Sequence, residues 1–221
     1  MNEVIIRIQE DGIVSVEEQK NGVKSYKAIT PDSLLTCLNK SLLRGTVSSG
    51  LLPKGCISYT EHDNGNKAIY MLHPESRADI TYHGSPYPNF PLPKLVFGFH
   101  LTNEGRISKS ELGVVANQNS LNPTTPMFKY PFSNVYGTHL CTGNNALPKC
   151  QSLHTLTSLP YYILSMDNNN DHFSPSNNKQ GLEMRELLAL LQDKPQEYYY
   201  SDILIPSKQT LSEFINGGNY S

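Results

Sequence analysis

The sequence predicts an α+β domain in which strands come first and helices come last. Short β-branched runs follow one another through the first half of the chain, whereas leucines recur at helical spacing between residues 181 and 192. The central runs lie too close together for crossover helices, so we expect an antiparallel β-meander flanked by helices. With 221 residues, of which 38% are hydrophobic, the chain is long enough for one domain with a sizeable core.

Residues 1–29 are predicted to form an N-terminal β-hairpin extension. β-Branched runs at residues 4–8 and 13–16 flank a glycine-containing turn, and an Asn-Gly pair then leads into a run at residues 23–29. We expect the main domain to occupy residues 30–221, because no linker of domain scale interrupts that part of the sequence.

A helix is predicted to begin at Thr30. Threonine is a good helix cap, Pro31 suits the first turn, and Asp32 places a negative charge at the positive end of the helix dipole. Gly45 is expected to end the helix. The apolar side of the helix is marked by leucines at helical spacing: Leu34, Leu35, Leu38, Leu42 and Leu43.

Four strands follow this helix and are expected to form the meander. Turn signals at residues 63–66 and 73–76 separate the first three of them. A further apolar run at residues 112–116 is ambiguous. The four predicted strands are residues 56–60, 68–72, 78–83 and 94–101.

The second half of the sequence has a different character. Residues 130–145 predict an ordered but irregular loop, and a run of Asn, Asp and Ser at residues 167–178 predicts a mobile surface loop. The helical pattern is weak at residues 147–163, clear at residues 181–192 and short at residues 209–215.

Charge and hydropathy exclude several classes of protein. Eighteen Lys and Arg against 20 Asp and Glu give a net charge of −2, which argues against a dedicated nucleic-acid binder. No apolar run approaches the length that spans a bilayer, and the N-terminus lacks the hydrophobic stretch of a signal peptide. We therefore expect a soluble, cytoplasmic protein.

The cysteines differ in their surroundings. None of the four has the CxxC spacing of a zinc or redox site. Cys37 lies inside an apolar helical pattern and Cys56 opens a strand, so both are predicted to be small buried residues. Cys141 instead has polar and glycine-containing neighbours, which predicts a loop position where a thiol can react.

Cys141 is therefore the best candidate for chemistry. The histidines lack HxH and HExxH spacing, so no metal site is expected, and no phosphate-binding glycine loop or GxSxG elbow is present. A loop thiol with Asn134 before it and imidazoles after it suits acyl transfer, in which a carboxamide stabilises an oxyanion and a histidine moves protons. The candidate histidines are His139, His154 and His172. From the residues alone, a turn that happens to contain a cysteine is the simpler explanation.

The same segment resembles the active site of ubiquitin-conjugating enzymes. In that superfamily a His-Pro-Asn tripeptide shortly precedes the cysteine that forms a thioester, and here YPFSNVY (residues 130–136) precedes LCTGN (residues 140–144). More closely, the chain resembles the prokaryotic ubiquitin-conjugating-enzyme-like family D, also known as PRTRC system protein B. The resemblance covers about residues 30–215, with further similar runs at LLPKG (51–55), PLPKLVF (91–97), DHF (171–173) and ILIP (203–206).

The chain also departs from the usual motif. Phe132 and Ser133 stand where that motif has His and Pro, and the loop from Asn134 to Cys141 is one residue shorter. Family D is described by a histidine after the cysteine, and His172 matches that position better than His154 does. His172 can approach Cys141 only if the Asn-rich loop folds back over the cysteine.

The resemblance implies a ubiquitin-conjugating-enzyme-like fold and a transferase activity. Cys141 would carry a ubiquitin-like protein as a thioester, Asn134 would stabilise the oxyanion, and His172 would position or deprotonate the attacking amine. The implied partners are a ThiF-like activating protein and a JAB-type metalloprotease. Because the activating protein consumes the ATP, no metal or organic cofactor is implied for this chain. The alternative is a non-catalytic interaction subunit of a PRTRC-type plasmid or mobile-element cassette, with Cys141 unused.

Overall fold

The computed structural model of the protein describes residues 3–10, 12–20, 22–42 and 49–217. The chain divides into two compact units, Met1–Gly50 and Leu51–Ser221. The first unit contains one sheet and the second contains two, and the candidate site lies wholly in the second unit.

The first unit begins with a three-stranded antiparallel sheet. Its strands are β1 (Glu3–Ile8), β2 (Val14–Lys20) and β3 (Val23–Ile29), in the order β1-β2-β3. Across one face of this sheet, Lys24 and Arg7 each donate a hydrogen bond of 2.8 Å to the Glu17 carboxylate. These bonds, that from Lys24 above all, lower the pKa of Glu17 to about 2.

Helix α1 (Pro31–Leu42) follows the sheet and begins where the sequence predicts. The Ser33 amide donates to the Thr30 hydroxyl at 3.2 Å, so Thr30 is the cap. The expected end of the helix at Gly45, and the predicted apolar position Leu43, lie outside the described residues. Because α1 falls in the first compact unit, the predicted domain boundary between residues 29 and 30 stays a prediction.

A larger antiparallel sheet forms the second unit. Its strands are β4 (Cys56–Glu61), β5 (Lys67–His73), β8 (Leu95–Leu101), β9 (Ile107–Val115), β10 (Pro126–Phe128), β11 (Val135–Tyr136), β12 (His139–Leu140) and β14 (Pro206–Thr210). The order is β11-β12-β9-β8-β5-β4, with β10 pairing both β9 and β14. The ambiguous run at residues 112–116 is thus the end of a long strand.

The expected meander is interrupted by a hairpin that leaves this sheet. Strands β6 (Ser76–Tyr82) and β7 (Ser85–Leu92) pair with each other, and β13 (Asp167–Asn168) runs parallel to β6. Strand β5 pairs directly with β8 instead. Strand β7 escaped prediction because Pro86, Pro88 and Pro91 remove backbone donors, a loss that an edge strand tolerates.

Each face of the large sheet covers a separate core. On β8, Leu95 and Phe97 face the larger core, and Val96 between them faces the smaller one, as strand alternation requires. Helices α2 (Leu159–Leu164) and α3 (Met184–Leu191) pack into the larger core, and α4 (Leu211–Ile215) packs into the smaller. The helices predicted at residues 181–192 and 209–215 are therefore confirmed in shortened form.

Antiparallel sheets with few helices agree with the expected α+β class. None of the helices in the described ranges has the length and apolar character needed to cross a membrane.

Candidate active site

A short hairpin carries the predicted catalytic segment. Val135 pairs with Leu140 and Tyr136 pairs with His139, so β11 and β12 are joined by a two-residue turn. Gly137 in this turn has a φ of 62°, a conformation that glycine adopts without strain. The irregular loop expected at residues 130–145 is therefore wrong at its centre, where the chain forms a regular ladder.

The register of the hairpin places Asn134 opposite Cys141. These two residues are the next pair beyond Val135 and Leu140, and the Cys141 amide donates to the Asn134 carbonyl at 2.8 Å. Asn134 has a φ of 65°, in the left-handed region that asparagine tolerates better than most residues. The hairpin thus holds the backbones of Asn134 and Cys141 opposite each other.

The Asn-rich loop at residues 167–178 packs against this hairpin. Its first residues form β13, and the Asn134 amide donates to the Asp171 carbonyl at 2.7 Å. The Tyr82 hydroxyl donates to the Asn170 side chain at 2.7 Å. The expectation of a mobile surface loop is therefore wrong for this segment, because backbone and side-chain hydrogen bonds hold it to the sheet.

The folded loop brings His172 beside the hairpin. Its side chain is exposed, and its ring centroid lies 5.8 Å from that of Tyr136. Like Asn134, His172 has a positive φ, 58°. His139 is exposed on β12, two residues before Cys141, and His154 is exposed in a 3-10 helix at Leu153–Thr157. Of these histidines, His172 belongs to the segment that is hydrogen-bonded to Asn134.

The two residues that replace His and Pro of the usual motif are buried. Phe132 makes edge-on contacts with the rings of Phe90, Tyr130 and Tyr199, at centroid distances of 5.8, 5.4 and 6.2 Å. Ser133 donates to a side-chain oxygen of Asn168 at 3.2 Å. An aromatic anchor and a serine hydrogen bond therefore hold the start of the hairpin in place of the missing histidine.

Asn168 is a site residue that the sequence did not single out. Besides accepting from Ser133, it donates to the Thr81 carbonyl at 3.2 Å and so ties the site to β6. Cys141, Asn134, Ser133 and Asn168 line a common cavity of about 30 Å³, roughly the space of one water molecule. The cavity is too small for a substrate, so a large acyl group has to approach Cys141 from its exposed side.

The remaining cysteines correct one sequence prediction. Cys37 is exposed on α1, although its place in an apolar pattern predicted burial, because Leu34 is the residue of that pattern that packs inward. Cys56 is half-buried and Cys150 is buried, and burial raises the pKa of both thiols. Cys141 is half-buried.

Glu111 is a second residue that sequence reasoning missed. It is 2% exposed on β9, and its carboxylate accepts hydrogen bonds from His100 and Lys109 at 2.8 Å, Tyr70 at 3.1 Å and Thr138 at 3.4 Å. Burial alone raises the pKa of Glu111, but the hydrogen bonds from His100 and Lys109 outweigh it and lower the pKa to about 2. Thr138 lies in the turn of the hairpin, so Glu111 is a buried anchor for it.

No group of three or more His, Cys, Asp or Glu side chains that could hold a metal ion occurs within residues 3–10, 12–20, 22–42 and 49–217. The described site offers the thiol of Cys141, the carboxamides of Asn134 and Asn168, and the exposed imidazoles of His139 and His172.

Comparison with known proteins identifies a family for this chain. The sequence model of the family described as prokaryotic E2 family D matches residues 40–207, well over half of the chain. That span contains the whole hairpin and the loop with His172. No curated protein and no solved structure matches the chain significantly. The chain belongs to the prokaryotic E2 family D.

Proposed function

We propose that this protein is a ubiquitin-conjugating-like transferase of a bacterial ubiquitin-like modification cassette. The Cys141 thiolate attacks the C-terminal acyl carbon of a ubiquitin-like modifier held as a thioester on a ThiF-like activating protein, and the thiol of that protein leaves. An amine of the target then attacks the new thioester, an amide bond forms, and Cys141 leaves as a thiolate. The activating protein consumes the ATP, so the transferase needs no cofactor of its own.

The observation that carries the proposal is the pairing of Asn134 with Cys141 in the hairpin. A donor that stabilises an oxyanion has to be fixed next to the thioester carbon before the reaction begins. The pairing of β11 with β12 supports this role, because the 2.8 Å hydrogen bond from the Cys141 amide to the Asn134 carbonyl holds the two residues opposite each other.

The side chain of Asn134 supports the same role. Within the described part of the chain, its carboxamide makes no hydrogen bond, whereas its backbone amide and carbonyl are both used. Asn134 is half-buried and lines the same cavity as Cys141. If Asn134 only stabilised the loop, its carboxamide would hydrogen-bond to loop residues. Here the backbone of Asn134 makes those bonds, and the carboxamide stays available for the reacting oxygen.

His172 is proposed to orient or deprotonate the attacking amine. Its exposed imidazole lies on the segment bonded to Asn134, so an incoming amine can meet it before it reaches the thioester.

The family also implies a JAB-type metalloprotease encoded in the same cassette.

Two variants at residue 134 test the oxyanion role. Asn134→Gly removes the carboxamide but keeps the left-handed backbone, whereas Asn134→Ala also strains that backbone by about 1 kcal/mol. We expect Asn134→Gly to load the modifier onto Cys141 at a near-normal rate and to discharge it to lysine about a hundred- to a thousandfold more slowly. Single-turnover loading and discharge, followed separately on non-reducing gels, measure the two steps.

Equal losses of loading and discharge in Asn134→Gly would make Asn134 a scaffold residue and remove its oxyanion role. An additional defect confined to Asn134→Ala would report the backbone strain alone, and a lower melting temperature of that variant would confirm it. Failure of the unmodified protein to load at all would favour an interaction subunit in which Cys141 is unused.

A further inference from the structure

A groove of about 800 Å³ opens beside the hairpin, at a break in the large sheet. Strand β9 pairs with β12 at Glu111 and with β10 at Val114 and Val115. Between these contacts, Leu112 and Gly113 line the groove. The hairpin turn at Gly137 and Thr138 lines it too, so an occupant of the groove contacts the same turn that joins the strands of the candidate site.

The groove is apolar inside. Residues that pack in both cores, and residues at and just before the start of β14, contribute to its lining: Met127, Phe128, Ile205, Pro206 and Phe214. A volume of this size accommodates several side chains of a peptide, whereas the cavity at Cys141 holds about one water molecule.

Positive charge predominates at the groove, because two lysines and one glutamate line it. Lys129 and Lys208 are exposed, and neither forms an ion pair or a side-chain hydrogen bond within the described ranges. The one acidic lining residue, Glu213, is engaged: its carboxylate accepts from the amide and the hydroxyl of Thr210 at 2.7 and 2.9 Å. These hydrogen bonds, that from the Thr210 amide above all, lower the pKa of Glu213.

One buried polar atom in the lining also lacks a partner. The Ser207 hydroxyl is buried and makes no hydrogen bond to any described residue. Leaving a buried hydroxyl unpaired is costly, and a rotation about its side-chain bond can direct it to an occupant of the groove.

We propose that this groove binds an extended peptide segment of a protein partner, in which a bulky apolar side chain is flanked by Asp or Glu. The apolar lining takes the bulky side chain, and the unpaired Lys129 and Lys208 complement the carboxylates. A polyanion such as a nucleic acid fits less well, because two lysines around an apolar groove neutralise few phosphates. The docking site stands independently of thioester chemistry at Cys141.

The test uses the full chain and a random dodecapeptide library displayed on phage. Selection on the immobilised protein is expected to enrich sequences that place a bulky apolar residue within two positions of an acidic one. Fluorescein-labelled copies of the enriched peptides are expected to bind about tenfold more weakly to the double variant Lys129→Glu/Lys208→Glu.

The matched control is Lys54→Glu/Lys149→Glu, which changes the net charge equally at two exposed lysines outside the groove lining. That control is expected to bind the peptides as the unmodified protein does. Absence of enrichment for acidic-apolar sequences, or equal binding by the two double variants, would overturn the proposal. The proposal would also be overturned, in favour of a nucleic-acid site, if labelled single-stranded dT12 bound more tightly than any selected peptide and this binding were lost in Lys129→Glu/Lys208→Glu.

Discussion

The buried carboxylate of Glu111 makes the free energy of unfolding depend on pH. A single substitution, Glu111→Gln, measures this contribution separately. The pKa of Glu111 falls from 4.5 to about 2 on folding, which corresponds to about 3 kcal/mol of stability above pH 4.5. A carboxyl whose pKa is lowered in the folded state loses this contribution as pH falls. From the two pKa values, about 2 kcal/mol is lost between pH 5 and pH 3.

The variant Glu111→Gln keeps the size of the side chain and cannot titrate. Other carboxylates titrate in both proteins, so the difference in unfolding free energy between wild type and Glu111→Gln reports Glu111 alone. That difference is expected to shrink by about 2 kcal/mol from pH 5 to pH 3. Urea unfolding followed by far-ultraviolet circular dichroism measures it, since the chain has no tryptophan.

The matched control is Glu104→Gln. Glu104 forms an exposed ion pair with Arg106 at 3.4 Å, with both side chains more than half exposed. Its substitution is expected to change the unfolding free energy by less than about 1 kcal/mol across the same pH range. A Glu111→Gln difference that stays constant between pH 5 and pH 3 would refute the assignment of Glu111 as a buried anchor that is charged in the folded protein.

Two further predictions follow from the environment of the site. In a Cys37→Ser background, Cys141 is expected to be alkylated before Cys56 and Cys150, because burial raises the pKa of those two thiols. Peptide mapping after a short iodoacetamide pulse measures the order, and modification of Cys56 or Cys150 first would contradict the prediction. Phe132→Ala is expected to cost about 3–5 kcal/mol of unfolding free energy and Phe132→Leu much less, because the ring fills a fully packed aromatic cluster. Similar urea midpoints for these two variants would show that the ring contacts carry little energy.

The elements of the fold that can be predicted from the sequence are those marked by short-range features such as helix caps and turns. Thr30 caps its helix as predicted, and the strands on either side of the turn at residues 63–66 pair with each other. The pairing of β5 with β8 was not readable, because the inserted β7 contains three prolines that hide its strand character. Cys37 was placed wrongly because helical spacing identifies an apolar side and not what covers it.

The sequence predicts residues for the candidate site but not how they are arranged. Cys141 and Asn134 are candidates from the residues themselves, His172 is preferred among the histidines because of the family resemblance, and the roles of all three stay predictions. The sequence gives no sign that the Asn-rich loop docks on the hairpin through the Asp171 carbonyl. Backbone hydrogen bonds cannot be predicted from residue identity, because every residue except proline has the same backbone donor and acceptor. Glu111 was missed for a related reason, since a single charge next to an apolar run resembles a surface residue until its four partners are seen in three dimensions.

The most direct test of the proposed function is the intact mass of the protein after incubation with its ThiF-like activating protein, ATP and the ubiquitin-like modifier. We expect one adduct equal to the modifier less one water, removed by a thiol reductant and absent in Cys141→Ala. Cys141→Ser is expected to give an adduct that resists the reductant, because an oxygen ester replaces the thioester. Loading that survives in Cys141→Ala but is lost in Cys37→Ala, or no adduct in any protein, would contradict the role of Cys141 as the thioester-forming residue.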